Sequence, residues 1–266
     1  MTDATSPVLD VTDDGRVRIL RINRPDALNA MNNATFAAIR DALADAAQAT
    51  GVAVVVITGT GRAFSAGQDL TEMLASYEAG PDAEPYHFPS MLETLATFPK
   101  PLIAAVNGLG VGIGMTILGH CDLALMASSA RLRTPFPQLG VAPEAASSFT
   151  FAARLGWHNA AYVLLSGRWF NDQECLDMGL VWRVCADDRL EDETLAVARE
   201  LAANPIPSLM VTKRLMLDAG YGESALAAHR REVAAFAGLV GAPANREAVA
   251  AFLDRREPDF SAIPGL

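Results

Sequence analysis

The chain has 266 residues, of which 51% are hydrophobic and 20% charged, so it is long enough to bury a sizeable core. A formal net charge of −10 argues against nucleic acids and acidic membrane surfaces as partners, and no run reaches the roughly 18 apolar residues of a membrane span. Three cysteines without Cys-x-x-Cys spacing, four scattered histidines and an N-terminus without a signal-peptide pattern predict a cytoplasmic protein with no metal site.

The N-terminal part of the chain alternates between strand and helix patterns. Residues 32–49 carry apolar side chains at helical spacing, and Gly51 ends that helix before a β-rich run. Residues 75–90, which contain several prolines, glycines and acidic residues, predict the least regular loop. The predicted elements are, in order, a strand at 17–22, a helix at 32–49, a strand at 52–58, a helix at about 90–98 and a strand at 102–106.

The second half of the chain changes from mixed to purely helical patterns. An apolar run after Gly114 enters a helix, and strand-like segments follow at 122–127, 131–134 and 180–184. Asn171 and Glu174 form a capping-box sequence that opens a helix closed by Gly179. Beyond about residue 188 only helical patterns continue, at 190–203, 207–219, 222–240 and 243–255. This switch predicts a mixed α/β core over residues 1–188 and a helical C-terminal module over residues 189–266.

Two glycine-rich turns are the most informative feature of the chain. Residues 64–70 (FSAGQDL) and 107–116 (NGLGVGIGMT) each follow a β-rich run. Where the backbone turns sharply out of a buried strand, it exposes peptide N–H groups that the sheet no longer uses, and glycine lets a ligand approach them closely. Two such turns that converge in space can hold one anionic oxygen between two N–H donors. The pattern predicts an oxyanion hole, and therefore an enzyme that acts on a carbonyl or a thioester.

Plainer interpretations of the same residues stay open. The glycines between 108 and 114 suit tight helix packing, although a dinucleotide loop is disfavoured because Ile113 breaks the Gly-x-Gly-x-x-Gly pattern. Glu144 precedes a predicted helix, where an acidic residue complements the helix dipole. Asp69 and Asp122 suit structural roles, and Lys213 lies either on a solvated helix face or within reach of a phosphate.

Several motifs, in their order along the chain, resemble the crotonase (enoyl-CoA hydratase/isomerase) superfamily. The resemblance covers nearly the whole chain. It rests on residues 24–30 (RPDALNA), 63–70 (AFSAGQDL), 100–108 (KPLIAAVNG), 121–122 (CD), 179–181 (GLV) and 251–260 (AFLDRREPDF). Each segment is weak alone, but the ordered set is specific.

The resemblance implies an α/β fold, a spiral of ββα turns that assembles through its C-terminal helices into a homotrimer or a dimer of trimers. It also implies an acyl-CoA thioester as substrate, with coenzyme A as part of that substrate and no separate cofactor. The backbone N–H groups of Gln68 and Ile113 would hold the thioester oxygen, and Asp26 stands where many relatives carry a lysine that contacts CoA. Further substrate contacts are implied at Ala27, Leu28, Ser65, Ala66, Gly67, Gln68, Asp69, Leu70, Gly112, Phe136 and Lys213.

The acid and base residues decide which reaction such a fold performs. The two glutamates of the family's hydratases correspond to Thr116 and Phe136, so that pair is missing. Residues 134–148 (TPFPQLGVAPEAASS) instead resemble peroxisomal-type Δ3,Δ2-enoyl-CoA isomerases, whose catalytic glutamate corresponds to Glu144. The resemblance therefore implies one carboxylate that moves a proton from C2 to C4, with Phe136 in an apolar wall that excludes water. A hydratase or other crotonase-family enzyme, and a non-catalytic acyl-CoA-binding protein, are the alternatives.

Overall fold

The computed structural model describes residues 7–69, 72 and 86–263, apart from the side chains of residues 252 and 253. The strands are β1 (Leu9–Asp14), β2 (Val17–Ile22), β3 (Val54–Gly59), β4 (Ala63–Ser65), β5 (Leu102–Val106), β6 (Leu109–Val111), β7 (Leu123–Ala127), β8 (Leu132–Arg133) and β9 (Arg183–Cys185). The helices are α1 (Asn33–Gln48), α2 (Phe88–Ala96), α3 (Ile113–Thr116), α4 (Ser147–Leu155), α5 (Trp157–Ser166), α6 (Asp172–Asp177), α7 (Leu190–Ala202), α8 (Ile206–Asp218), α9 (Tyr221–Leu239) and α10 (Pro243–Leu253).

The strands form two sheets that the chain visits in alternation. The larger sheet has the order β1-β2-β3-β5-β7-β9, in which β1 and β2 are antiparallel and the later neighbours are parallel, and the smaller sheet has the order β4-β6-β8. Each pass therefore adds one strand to each sheet, as β3 then β4, β5 then β6, and β7 then β8. The result is the spiral of ββα turns that the resemblance implied.

Most predicted elements are present, with small shifts at their ends. Strands β2 and β5 have the predicted bounds, and the capping box of Asn171 and Glu174 opens α6 as expected. Helix α2 begins two residues earlier than predicted, since Pro89 is accommodated in its first turn. Strand β1 was missed because its residues are mostly exposed and show no regular alternation. Most of the predicted 75–90 loop, and Leu70, lie outside the described residues.

The main core lies between the larger sheet and the helices that cover it. Helix α1 buries Phe36, Ile39 and Leu43 there, and β3 is buried along its whole length. Helix α7 also joins this core, where it packs on β3 and buries Leu190 and Val197. The helical part of the sequence thus begins with a helix that completes the core of the α/β part.

The last helices, α8 to α10, complete the described structure, and α8 packs on α9. Helix α9 packs on α4 and α2, and α10 packs beside the short 3-10 turn at Pro137–Leu139. None of the helices in the described residues is long and apolar enough to cross a membrane.

Candidate active site

The two glycine turns meet at one end of the smaller sheet. Strands β4 and β6 pair in parallel, with Ser65 opposite Gly110. After each of these two strands the backbone leaves the sheet. The turns touch so closely that a Cβ atom on Gly114 would lie 2.3 Å from the Ser65 carbonyl oxygen, and one on Gly67 would lie 2.9 Å from that of Val111. Glycine is required on both sides of this contact, and the predicted convergence of the turns is confirmed.

Each turn leaves one backbone N–H group unused by regular secondary structure. Met31 forms a parallel bridge beside Gln68, in which its N–H donates to the Gly67 carbonyl (2.8 Å) and its carbonyl accepts from the Asp69 N–H (2.9 Å). This pattern uses neither backbone group of Gln68. Ile113 is the first residue of α3, where an N–H group has no partner within the helix. The two amides predicted as oxyanion donors are therefore both available for a ligand or a side chain.

Glu144 faces both turns. Its side chain accepts a hydrogen bond from the Gln68 side-chain amide, and the Ile113 backbone N–H favours the ionised form of the carboxyl, which lowers its pKa. A Cβ atom on Gly112 would lie only 3.3 Å from Glu144 Oε1, so the carboxyl sits directly against the second turn. Glu144 is 8% exposed, and burial raises its pKa to about 8, although the Gln68 side chain and the Ile113 backbone N–H oppose the shift. A group with such a pKa can exchange protons near neutral pH.

A cavity of about 220 Å³ opens in front of this carboxyl. The hydroxyl of Tyr86 donates a hydrogen bond to Gln68 Oε1 (2.7 Å), which turns the amide nitrogen of Gln68 toward Glu144. The polar groups of the wall are those of Gln68, Tyr86, Glu144, His229 and Glu232, and the other lining residues are aromatic and aliphatic. The lining residues are Gln68, Tyr86, Phe88, Pro89, Pro143, Glu144, His229, Glu232, Val233 and Phe236.

One face of α9 forms part of the cavity wall, which the sequence analysis missed. His229, Glu232, Val233 and Phe236 follow one another at the spacing of a single helical face. The C-terminal helices were expected to serve assembly, so this face was not considered as part of the site. The available signal was the placement of a histidine and a glutamate within an otherwise apolar stripe, both of which are buried.

The family comparison agrees with this geometry. The sequence matches the family described as Enoyl-CoA hydratase/isomerase over residues 13–262. The chain belongs to this family. The predicted membership of the crotonase superfamily and the predicted fold are thereby confirmed.

Relatives within the enoyl-CoA hydratase/isomerase family carry different activity names. Enoyl-CoA delta isomerase 2 of Rattus norvegicus is 34% identical over 209 residues, which cover 77% of this chain and 53% of the rat protein. The solved structure of enoyl-CoA hydratase EchA8_6 from Mycobacterium marinum is 51% identical, has a TM-score of 0.75 and covers 79% of this chain and 99% of that one. An enoyl-CoA hydratase/isomerase from Pseudoalteromonas atlantica T6c has a TM-score of 0.89 at 34% identity and covers 96% of this chain and all of its own.

The loop predicted to contact CoA packs as one unit beside the first turn. The Ala66 N–H donates to the Leu28 carbonyl (2.9 Å), and the Ser65 hydroxyl donates to the Asn29 carbonyl (2.9 Å). Asp69 pairs with Arg24 at 3.2 Å, which agrees with the expectation that Asp69 fixes the loop. Ala27 lies in the 3-10 turn Pro25–Ala27 of the same loop. Apart from Gln68, the predicted CoA contacts in this loop and the first turn that the structure describes do not line the cavity.

Two predicted substrate contacts, Lys213 and Phe136, do not line this cavity. Lys213 is buried, and its ammonium donates to Asp122 Oδ2 (2.7 Å) and to the Lys100 carbonyl (2.8 Å), so in this structure it is not placed to reach a CoA phosphate. Asp122 thus has the structural role expected of it. Phe136 is buried at the N-cap position of the 3-10 turn Pro137–Leu139 and is not among the residues that line the cavity. The apolar wall is built instead by Phe88, Pro143 and Val233.

The positions of the hydratase glutamates contain no acid in this member of the family. Thr116 is buried at the end of α3, and its hydroxyl makes no hydrogen bond within the part of the chain that the structure describes. The same part of the chain holds no group of three or more histidine, cysteine, aspartate or glutamate side chains arranged to bind a metal ion. The chemistry of the site therefore centres on Glu144 and its immediate neighbours.

Proposed function

We propose that the protein is a Δ3,Δ2-enoyl-CoA isomerase, with Glu144 as its catalytic base. One observation carries this proposal: a buried carboxyl group accepts a hydrogen bond from Gln68 of the first glycine turn and lies directly against Gly112 of the second, so base and oxyanion donors share one space. A rat isomerase with 34% identity supports it. The proposal is finer than family membership, which includes both hydratases and isomerases.

The reaction needs one group that can reach two carbon atoms. The Glu144 carboxylate would remove a proton from C2 of a 3-enoyl-CoA. The electrons of that C–H bond form a dienolate whose negative charge gathers on the thioester oxygen, where the Gln68 and Ile113 backbone N–H groups would stabilise it. The same carboxyl would then return the proton to C4 and leave the double bond between C2 and C3. Loss of one such donor typically costs about 2.7–4 kcal/mol in the barrier.

The surroundings of Glu144 suit a base of this kind. Burial makes the carboxylate a stronger base than it is in water, because the charged form is destabilised. The aromatic and proline side chains of the cavity limit the water that could intercept the dienolate. The hydrogen bond from Gln68 opposes full neutralisation and fixes the direction of the carboxyl group.

A direct assay tests this proposal. Purified protein is incubated with a 3-enoyl-CoA, and the appearance of the conjugated 2-enoyl-CoA is followed by its ultraviolet absorbance. We expect turnover by the native protein and a large loss in Glu144→Gln. Full activity in that variant would refute the assignment of the base. Tight acyl-CoA binding without deuterium exchange at C2 would instead identify a non-catalytic binding protein.

Hydration of a 2-enoyl-CoA is the second candidate function, because a second carboxyl group, Glu232, lines the same cavity. Water addition needs a pair of acid and base groups, and Glu144 with Glu232 is the pair within the described cavity. Both Glu232 oxygens, however, already accept backbone N–H groups, from Ala146 and Ser148. Conversion of crotonyl-CoA to the 3-hydroxy product at a rate comparable to isomerisation would favour hydration.

We also propose that the chain assembles as a trimer or a dimer of trimers. Large apolar side chains are exposed on α5 and α8, where assembly would cover them: Trp157, Tyr162, Leu165, Leu215 and Met216. Light scattering would then give about three or six times the chain mass of 28.2 kDa. A monomeric mass at micromolar concentration would contradict this expectation.

A further inference from the structure

The turn that directly follows Glu144 has an unusual backbone conformation. Ala145 and Ala146 both have positive φ angles, 59° and 58°, and neither is glycine. Residues with a Cβ atom are destabilised in this left-handed conformation, because the Cβ atom comes too close to the following carbonyl oxygen. Two in succession persist only where surrounding contacts determine them, and such strain concentrates at functional sites. The contacts that hold this turn therefore also determine where Glu144 points.

The strongest of these contacts comes from α9. Glu232 Oε2 accepts the Ala146 N–H at 2.6 Å, and Glu232 Oε1 accepts the Ser148 N–H at 2.8 Å. The Glu232 carboxylate thus bridges the turn and the first turn of α4, where backbone N–H groups lack partners within the helix. Hydrogen bonds to a charged group are stronger than neutral ones. Glu232 is itself 5% exposed, so both bonds are shielded from water.

Neutral groups complete the support of the turn. The Ser147 N–H and hydroxyl both donate to the Glu144 carbonyl, at 3.0 and 2.6 Å. His120 Nε2 lies 2.8 Å from the Ala145 carbonyl, and burial lowers the pKa of His120 to about 4, so a neutral imidazole donates this bond. Among the groups that hold the turn, Glu232 is the carboxyl.

We infer that Glu232 is a positioning residue for Glu144: its carboxylate fixes the left-handed turn at residues 145–146 and thereby keeps the Glu144 carboxyl directed into the cavity. The inference deepens the proposed function and rests on it, since Glu144 is the proposed base. Glu232 also lines the cavity beside Glu144, and its negative charge adds to the upward shift of the Glu144 pKa. One residue of α9, which is far from Glu144 in the sequence, thus holds the Glu144 carboxyl in place and raises its pKa.

Three further titratable groups lie near this pair, Arg231, His229 and His120, and none of them is an acid. Burial raises the pKa of Glu232, whereas the Ser148 and Ala146 N–H groups and the nearby Arg231 favour its ionised form. His229 lines the same cavity, and burial lowers its pKa, which favours the neutral form. His120, beneath Ala145, is likewise neutral. Removal of the Glu232 charge is therefore expected to lower the pKa of Glu144.

Two substitutions separate position from charge. Glu232→Gln removes the charge and leaves only one acceptor oxygen for two N–H donors. Glu232→Asp keeps the charge on a side chain one methylene too short to hold both donors. The matched control is Glu223→Gln, which removes a carboxylate from the exposed face of the same helix. Each variant is tested for its circular dichroism spectrum, for kcat and KM with a 3-enoyl-CoA, and for the pH dependence of kcat/KM.

We expect kcat to fall about ten- to hundredfold in both Glu232 variants, because small misplacement of a catalytic group costs this much, while KM changes less than about threefold. The acid limb of the pH profile moves to lower pH in Glu232→Gln and stays near that of the native protein in Glu232→Asp. Glu223→Gln keeps the native values. A kcat within twofold of native in Glu232→Gln would overturn the inference, as would loss of the folded spectrum in both Glu232 variants, since Glu232 would then act in folding alone.

A titration without substrate keeps this test apart from the proposed function. The carboxyl carbon of Glu144 is followed by NMR in protein with 13C-labelled glutamate, and its signal is assigned by its absence in Glu144→Gln. A lower titration midpoint of Glu144 in Glu232→Gln supports the inference. This holds even if the protein turns over no 3-enoyl-CoA, a result that would refute the proposed function. An unchanged midpoint would refute the electrostatic part of the role whatever the activity.

Discussion

The side-chain amide of Gln68 donates a hydrogen bond to the carboxyl group of Glu144, although the two residues lie 76 positions apart in the sequence. The backbone N–H of the same Gln68 is one of the two proposed oxyanion donors. A single residue thus links the group that would stabilise the negative charge to the group that would create it. Substitution of Gln68 tests these two roles separately, because it removes the side-chain amide and leaves the backbone N–H in place.

Glu144→Gln should lower kcat for double-bond migration by at least about a hundredfold, since a positioned general base contributes about 10²–10⁴ in rate. Glutamine has nearly the same shape but cannot take a proton from C2. Steady-state kinetics with a 3-enoyl-CoA measure the effect, and an unchanged circular dichroism spectrum shows that the variant is folded. A loss smaller than fivefold would mean that another group removes the proton.

Gln68→Ala should raise the pH at which the enzyme becomes active. Its side-chain hydrogen bond favours the ionised carboxylate, so without it the Glu144 pKa rises further above about 8. The base is active when deprotonated, and the acid limb of kcat/KM therefore moves to higher pH, opposite to the shift expected for Glu232→Gln. The backbone N–H remains in the variant. An acid limb at the native position would show that this hydrogen bond does not form in solution.

Gly114→Ala should misalign the two glycine turns. A Cβ atom there would meet the Ser65 carbonyl oxygen at 2.3 Å, which forces the backbone of one turn to move. We expect a loss of about 1–3 kcal/mol in the free energy of unfolding, as for other overpacked sites, together with a reduced kcat. Gly51→Ala is the control, because no atom lies within 4 Å of its added Cβ and its φ is not positive. Equal behaviour of the two variants would contradict the close contact of the turns.

The sequence could predict the turns because their signal is local, whereas it pointed to Glu144 only through the resemblance to the family. A β-rich run followed by glycines indicates a sharp exit from a strand, and the order of the motifs identifies the family. Glu232 could not be found in this way, since its partners at Ala146 and Ser148 lie more than eighty residues away and its helix shows only an apolar stripe. The spacing along α9 indicates which residues share a face, but not that this face borders a cavity.

Lys213 is a second residue whose partner could not be predicted from its sequence neighbours. A lysine on a C-terminal helix suggests a solvated surface or a phosphate contact when its sequence neighbours alone are considered. Its partner, Asp122, stands just before β7, and only the folded chain places the two at 2.7 Å. Strand β1 was missed for a related reason: it forms the edge of the larger sheet, and its position depends on antiparallel pairing with β2 more than on its own pattern.

Lys213→Met should destabilise the protein without weakening CoA binding. The substitution leaves Asp122 without its ammonium partner, and breaking a buried ion pair costs about 3–5 kcal/mol. Urea denaturation should show a loss of this order, reduced by the partial exposure of Asp122, while KM for the acyl-CoA stays near native. Arg214→Met, which removes a charge from the exposed face of the same helix, should leave stability nearly unchanged. A large rise in KM with native stability would restore Lys213 as a CoA contact.

The raised pKa of Glu144 also predicts how stability depends on pH. The group titrates near 4.5 in the unfolded chain and near 8 in the folded protein, so the folded protein binds more protons between these values. Its contribution to stability is fully present below about pH 4.5 and is lost as the pH rises through about 8, where the buried group must ionise. A pKa shift of this size corresponds to about 5 kcal/mol in the free energy of unfolding. Glu144→Gln cannot ionise, and its stability relative to the native protein should therefore increase from pH 5 to about pH 8 and level off by pH 9. Urea denaturation of both proteins across this range measures the difference, with Glu223→Gln expected to run parallel to the native curve. Parallel curves for Glu144→Gln and the native protein would mean that the Glu144 carboxyl ionises in the folded protein as easily as in water. Such a carboxylate would be too weak a base to remove the C2 proton.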